Sequence, residues 1–562
     1  MVRKMSAHVG RGIVTCMTDR PSRSRGSQAA RWSIAAVVAC VVALPGCAKL
    51  GPDFKRPDVA LADQWADAAD PTLKLDATAA QAWWQVFGDP VLDRLVESAY
   101  RQNLNLRIAG VRVLEARAEL GIAVGGLYPQ RQQIGAGATN VSLSESAANT
   151  ALLDLNYWEF DTGFDAAWEL DFWGKFSRGI ESADATLLGS IASYDNLLVT
   201  LIGEVATAYV IIRTFEERLA IARRNVAIQT RSVEIANVRF RNALTTELDV
   251  QQARSLLKNT EASIPVLQIG LRRAQNALSI LLGQPPGAVQ DLLEGEGLIP
   301  SPPAEVAVGI PAELLRRRPD VRQAELQAIA QNAVVGVAEA DLYPSFTLFG
   351  SIGLVSADST DSTRNGDIDS GGVFDEGDLF DTDSVQFVGG PAVRWNIFNY
   401  GRIKNNVRAQ DARLQGLLVN YENTVLRAAR EVEDATVGFL RSQERVGYLI
   451  DGVKATQRSV ELALVQYRDG TADYTRVLDT QEFQVTQEDL LTATRGEVAR
   501  NLIAMYKALG GGWELRKGNA FVPEETTEQM RQRTDWGELL EPGATDVPPP
   551  AEAGETLWRP DW

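Results

Sequence analysis

The chain has 562 residues, 45% of them apolar, and a formal net charge of −17. It has length and apolar content for a large core or several. An acidic balance argues against nucleic-acid binding, which relies on clustered Lys and Arg, and 23 Pro with 46 Gly are too few for a disordered or fibrous class.

The N-terminus reads as an export signal. Arg20, Arg23, Arg25 and Arg31 precede the 13-residue apolar run Trp32 to Leu44, too short to span a bilayer. The run ends in Leu-Pro-Gly-Cys, residues 44–47, which resembles a bacterial lipobox with an unusual Pro45. Cleavage there makes Cys47 the first mature residue and the point of lipid attachment. Residues 1–46 hold seven Lys/Arg and one Asp, so the mature charge is −17 − 6 = −23. The only His (His8) and two of three Cys (Cys16, Cys40) leave with them. A mature chain without His lacks the usual general base and the commonest metal ligand. With one Cys it has no internal disulfide and no zinc–thiolate cluster. Enzyme function is therefore disfavoured. The mature chain has no apolar run of 18, so no transmembrane helix is expected.

After a linker over 47–88, an amphipathic helix is expected near Pro90–Leu127. The segments "QRQQIGAGATNVSL" from Gln130 and "FDAAWELDF" over Phe164–Phe172 read as strands. In the second, Phe164, Ala166, Trp168, Leu170 and Phe172 alternate with Asp165, Glu169 and Asp171. Next comes a strict 4–3 apolar spacing from Leu187 through Leu198, Val205, Ile212 and Leu219 to Phe240, with fifteen of sixteen positions apolar. Sustained heptads predict coiled-coil packing. From Lys175 to Arg241 is 67 residues, a rod of roughly 100 Å. A turn follows, then a return helix over Thr246–Leu282. Thr246 and Asp249 suggest a capping box, and Pro265 a kink.

The pattern then recurs. "GVAEADLYPS" from Gly336 repeats "GIAVGGLYPQ" from Gly121 at an offset of 215, after a helix expected at Pro311–Leu342. Strands are expected at "SFTLFGSIGL" (Phe346, Leu348, Ile352 and Leu354 on one face) and "SVQFVGGPAVRWNIF" (Val385, Phe387, Val393, Trp395 and Ile397 on one face). The acidic stretch Ser356–Ser384 between them reads as a solvated loop. From Gly401 the offset is 227, so the second copy holds a twelve-residue insertion before that point. The second heptad run, Leu414 to Tyr467, has fourteen of sixteen positions apolar. Its turn is at Gly470, and Asp473 caps its return helix to Leu509. The boundaries are therefore 1–46 signal, 47–88 linker, 89–282 first repeat, 283–310 linker, 311–510 second repeat, and 511–562 a segment with a Pro- and acid-rich tail.

The fold class is α+β: long coiled-coil helices with four strands per chain. Ten-residue alternating strands with aromatic ends are the signature of an outer-membrane barrel. Four strands cannot close a barrel, and open edges cannot sit in lipid, so several chains must pool them. Three chains give twelve strands and six helical hairpins.

Nearly the whole mature chain resembles the outer-membrane efflux channels of the TolC-like family, in the lipoprotein (NodT-like) branch. The residues that carry this are "GCAKLGPDFKRP" from Gly46, "WWQVFGDPVLDRLVESAYRQNLNL" from Trp83, "LLGQPPG" from Leu281, and "LRRRPDVRQAE" from Leu315 with "GVAEADLYPS". The resemblance implies a homotrimer in the outer membrane, extending into the periplasm, with twelve strands and twelve helices. It implies a periplasmic adaptor and an inner-membrane pump as partners, no cofactor beyond the lipid on Cys47, and no chemistry. The helical tip would be closed until adaptor hairpins dock. Carried over by position, Asp479 forms a carboxylate ring at the tip. Thr475 stands where related lipoproteins have a large apolar residue, and Arg476 where another branch has a second acidic ring. Arg241, Asn242, Arg468, Asp469 and Gly470 are the candidates for adaptor docking. Other readings are a protein-exporting duct of the same family and a pore-less periplasmic lipoprotein.

Overall fold

A computed structural model describes residues 49–540, apart from 63, 75–81, 145, 147, 149–154, 295–296, 304–305, 308–316, 360–378 and 381. The expected signal segment, Cys47 and the C-terminal tail lie outside the described residues, as does most of the acidic loop.

The order of elements repeats. Helices α1 (Pro90–Gln102) and α2 (Leu104–Gly125) lead to strands β2 (Arg131–Ser142) and β3 (Asn156–Glu169). The 67-residue α3 (Lys175–Arg241) and the 35-residue α4 (Glu247–Leu281) complete the first copy. The second copy has α5 (Pro319–Ala340), β5 (Ser345–Ser359), β6 (Val385–Arg394), α6 (Arg402–Arg468) and α7 (Tyr474–Ala508). Here α6 again has 67 residues and α7 again 35. Short β1 (Leu73–Lys74) and β4 (Val306–Ala307) pair in parallel, and α8 (Glu524–Arg533) follows.

Both long helices start behind a left-handed glycine, Gly174 (φ 71°) and Gly401 (φ 80°). Most of their heptad positions are buried, including Leu198, Val205 and Ile212 in α3 and Val425, Val432 and Phe439 in α6, while Phe240 at the tip is exposed. The polar interruptions Gln229, Ser442 and Thr456 are buried too. Part of α3 is apolar enough to cross a bilayer by composition alone. However, 67% of that window is buried in the chain's own core, which is why it is a core helix.

The first helix is not continuous over 90–127. It breaks at Asn103, whose Oδ1 accepts from Leu106 N (2.8 Å) and whose Nδ2 donates to Leu281 O (2.9 Å). One side chain thus caps α2 and satisfies the last turn of α4, seating α4 against the α1–α2 joint. Arg318 has the same place in the second copy and donates to Ala508 O at the end of α7 (2.5 Å). Around these joints lies the main core, with Trp83 stacked on Tyr506 (5.6 Å) and a buried ion pair between Arg516 and Asp195 (2.6 Å).

The four strands form one antiparallel sheet in the order β2-β3-β5-β6. The insertion falls between β5 and β6, since 360–384 is twelve residues longer than 143–155. Strand β3 ends at Glu169 rather than Phe172, because Asp171 turns down and accepts from Phe176 N and Ser177 N (both 2.9 Å), capping α3. Pro265 lies inside an uninterrupted α4.

Candidate functional site: the sheet and the helical tips

The sheet has two chemically different faces. One cross-strand row runs Ile134–Phe164–Ile352–Phe387, all exposed. The next row, on the opposite face, is Gln133–Asp165–Ser351–Val388. Glu159, Asp161 and Glu169 share that second face with Asp165, by strand alternation. The apolar positions expected on β5 fall in register with Val385, Phe387 and Val393 of β6, with Phe346 opposite Val393 and Leu354 opposite Val385, whereas Trp395 and Ile397 lie beyond the end of β6 at Arg394. An exposed apolar face backed by a polar one is what a lipid-facing barrel wall requires. Trp168 and Trp395 mark its lower rim, donating their indole N–H to Leu127 O and Leu342 O (both 3.0 Å).

The repeat offset does not survive in the strands. At 215, Ile134 corresponds to Phe349, yet Phe349 pairs with Ala167 on the polar-side register. A slip of one residue exchanges faces, so the apolar wall, not the sequence offset, fixed the register.

At the far end of the rods the turns match bond for bond. Leu244 N donates to Arg239 O (2.9 Å) and Thr471 N to Gln466 O (2.9 Å). Ala243 (φ 54°) and Gly470 (φ 76°) occupy the same left-handed position. Between the hairpins is a small separate core of Ala236, Val250, Ala253, Ala463, Tyr467, Tyr474 and Val477. Tyr467 and Tyr474 meet edge to face at 5.2 Å.

Polar contacts that the sequence does not predict tie the hairpins together. Arg239 donates to Tyr467 O (2.7 Å) and Arg468 O (2.9 Å), and its guanidinium lies 4.8 Å over the Tyr467 ring. It thereby closes the carbonyl end of α6, where a cation is favoured. The Tyr467 hydroxyl donates to Asp249 Oδ2 (3.2 Å), and Thr245 also donates to Asp249. Burial pushes the Tyr467 phenol up from its ordinary value, so it holds its proton. The expected Thr246–Asp249 capping box does not form: Thr246 accepts from no backbone N–H and its hydroxyl donates to Asp249 Oδ1 (3.5 Å), while Asp249 Oδ2 is turned toward Tyr467. Asp473 does cap α7, accepting from Arg476 N (3.3 Å). The available signal for Arg239 was a mismatch between copies: its counterpart is Gln466.

Thr475, Arg476 and Asp479 lie together on the exposed face of the first turns of α7, away from the small core. Arg241, Asn242, Arg468, Asp469 and Gly470 are exposed around the two turns. Above the tip core, the contact of α3 with α7 becomes polar. Buried Glu488 accepts from Asn225 (3.1 Å), Gln457 (2.9 Å) and Gln484 (2.9 Å).

A sheet with an apolar outer face, joined to paired rods of roughly 100 Å, defines a subunit of an outer-membrane channel. The chain belongs to the outer membrane efflux protein family, whose profile matches residues 95–284 and 310–511. It is similar to Nodulation protein T of Rhizobium leguminosarum bv. trifolii, 30% identical over 84% of this chain and 95% of the relative. The cation efflux system protein CusC of Escherichia coli O6:H1 is 28% identical, covering 84% of this chain and 98% of CusC. Among solved structures, the outer-membrane channel OprN superposes with a TM-score of 0.75 at 31% identity, covering 83% of this chain and all of OprN. The protein is the outer-membrane component of a tripartite efflux system, and its relatives are channels rather than enzymes.

Proposed function

We propose that the chain works as a homotrimer, a passive duct for small molecules gated at its periplasmic tip. The observation that carries this is the four-stranded sheet whose edge strands, β2 and β6, pair with no further strand among the described residues. Three copies supply twelve antiparallel strands and no free edge in lipid. Six hairpins continue the duct below. A periplasmic adaptor docks on the exposed turns at Arg241, Asn242, Arg468, Asp469 and Gly470, and an inner-membrane pump supplies the energy. Relatives named for cation and toluene efflux fit a duct whose substrates are selected by the pump. In the trimer, Asp479 forms a ring of three carboxylates beside Thr475 and Arg476, a barrier to anions and a site for cations.

Lipid on Cys47 anchors the chain to the outer membrane, and the described chain begins just after it, at Lys49. Lys49 crosses at Gly174, where a Cβ would meet Lys49 Cα at 2.9 Å, and Leu50 N donates to Trp173 O (3.1 Å). Arg178 fixes this strap through Leu50 O (3.0 Å) and Asp53 (2.9 Å). Lys49 and Leu50 therefore lie beside the start of α3, just after the end of β3. Cys47→Ser should abolish lipid labelling. For the duct itself, conductance in planar bilayers is the test. A solubilised protein of monomer mass without channels, even after tip substitutions, would sink the proposal.

A further inference from the structure

The seam between α3 and α7 continues the tip core upward and changes character along the way. Ala236 of α3 and Val477 of α7 belong to the apolar tip core. Above them the same stripe carries Ser232, Gln229 and Asn225 on α3, and Gln481, Gln484 and Glu488 on α7. All six are buried. The next position of each stripe, Ala222 and Leu491, is buried and apolar again. Two turns of polar contact, roughly 10 Å long, therefore lie between apolar ends.

Two bonds across the seam set one antiparallel register. Asn225 Nδ2 donates to Glu488 Oε2 (3.1 Å), and Gln481 Nε2 donates to Ser232 Oγ (2.8 Å). This puts Gln229 opposite Gln484, between the two bonds. Yet among the described residues neither polar atom of Gln229 has a hydrogen-bond partner, nor has Gln481 Oε1, and all three atoms are buried. Glu488 lacks something else, a countercharge. It is 3% exposed, and its carboxylate accepts only from the carboxamides of Asn225, Gln457 and Gln484 among the described residues. Two turns further along, Arg218 and Arg495 are held by Asp489 and Glu217. Burying a charge is costly unless it is paired or binds a cation, and a buried carboxamide oxygen needs a partner. One ligand meets both needs.

We infer that this seam binds one alkali cation, Na⁺ or K⁺, with the Glu488 carboxylate as countercharge and the side-chain oxygens of Gln229 and Gln481 as ligands. A set of oxygen donors suits a hard cation, and one carboxylate balances one positive charge. An ion there ties α7, whose first turns carry Asp479, to α3. Every group belongs to a single chain, so the inference does not depend on the trimer.

Cation-dependent stability tests it. Full-length protein in a nonionic detergent is unfolded thermally in choline chloride, NaCl or KCl at equal chloride, choline being too large for a buried seam. Sodium or potassium should raise the unfolding temperature by a few degrees, saturably. Glu488→Gln keeps the side-chain shape and should abolish the rise, as should Gln229→Leu. Asp489→Asn, whose carboxylate pairs with Arg218 instead, should keep it. Retention of sodium-22 or rubidium-86 by the solubilised protein gives the count. One ion per chain is expected in the wild type and in Asp479→Ala, which sets the seam apart from the tip, and none in Glu488→Gln. If Glu488→Gln fails to fold, Gln229→Leu carries both readings. An equal rise in the wild type and the seam variants, or no rise in either salt, overturns the inference. So does a wild type that ignores both salts and gains stability on acidification in choline, because a proton then neutralises Glu488.

Discussion

The two hairpins have equal lengths and identical turn hydrogen bonds, yet their tips play different parts. The first supplies the polar groups that hold, Arg239 and Asp249. The second supplies what is held: the carbonyl end of α6, the Tyr467 ring and hydroxyl, and Tyr474 packed beside it. At matched positions the second copy has Gln466 for Arg239 and Arg476 for Asp249. A repeat that keeps backbone geometry while dividing its side chains into clamp and clasp makes the two hairpins mutually dependent. The exposed gate candidates Asp479, Thr475 and Arg476 then lie on the half that is held.

Making the copies alike is the most direct way to break this asymmetry. Arg239→Gln copies the second tip into the first and removes two carbonyl contacts and a stacked cation. The tip should loosen by about 2 kcal/mol, read as at least a several-fold rise in single-channel conductance. Conductance equal to wild type would mean that Arg239 does not hold the tip. Tyr467→Phe keeps the ring and loses one hydroxyl bond, a loss of about 1 kcal/mol, seen as a smaller conductance rise. Asp479→Ala should raise conductance and weaken cation preference if its carboxylates line the mouth; an unchanged ion selectivity would remove it from the pore. The turns differ in one residue of backbone consequence. Gly470→Ala should lower stability by about 1 kcal/mol, and Ala243→Gly should leave it unchanged or slightly raised, as measured by thermal unfolding.

A smaller effect concerns the upper rods. Asp184 on α3 is pushed up to about 6 by burial, whereas its counterpart Asp411 is exposed. Its folded value lies above its ordinary one, so the native state binds the extra proton between about pH 4 and 6. Stability should fall as pH rises through that window and stay lower above it. Asp184→Asn should flatten that slope in thermal unfolding.

Most of the scaffold was legible because it repeats and because periodicity is a local property. Heptads fixed both rods, Gly174 and Gly401 marked their starts, and alternation of period two gave three strand faces correctly. The break at Asn103 was not legible, because the carbonyl it satisfies belongs to Leu281, distant in sequence. Nor was the turn of Asp171 out of the strand pattern: a carboxylate that alternates correctly for a strand is equally suited to cap the helix that follows. The tip clamp was missed for a related reason. Asp249 stood where a local capping box is expected, and its partner Tyr467 lies 218 residues away.

The sequence alone determined the two copies, the lengths of the rods, the apolar wall and the acidic, His-free composition of the mature chain. These follow from hydrophobic period and spacing, which act over a few turns. Tertiary structure decided which residues meet. It set the one-residue slip that puts Ile134 and Ile352 in one row, because a wall buries or exposes a whole face at once. It also gave the two tips unequal roles, because a hydrogen bond between hairpins depends on the packing of α3 beside α7 and not on either helix by itself.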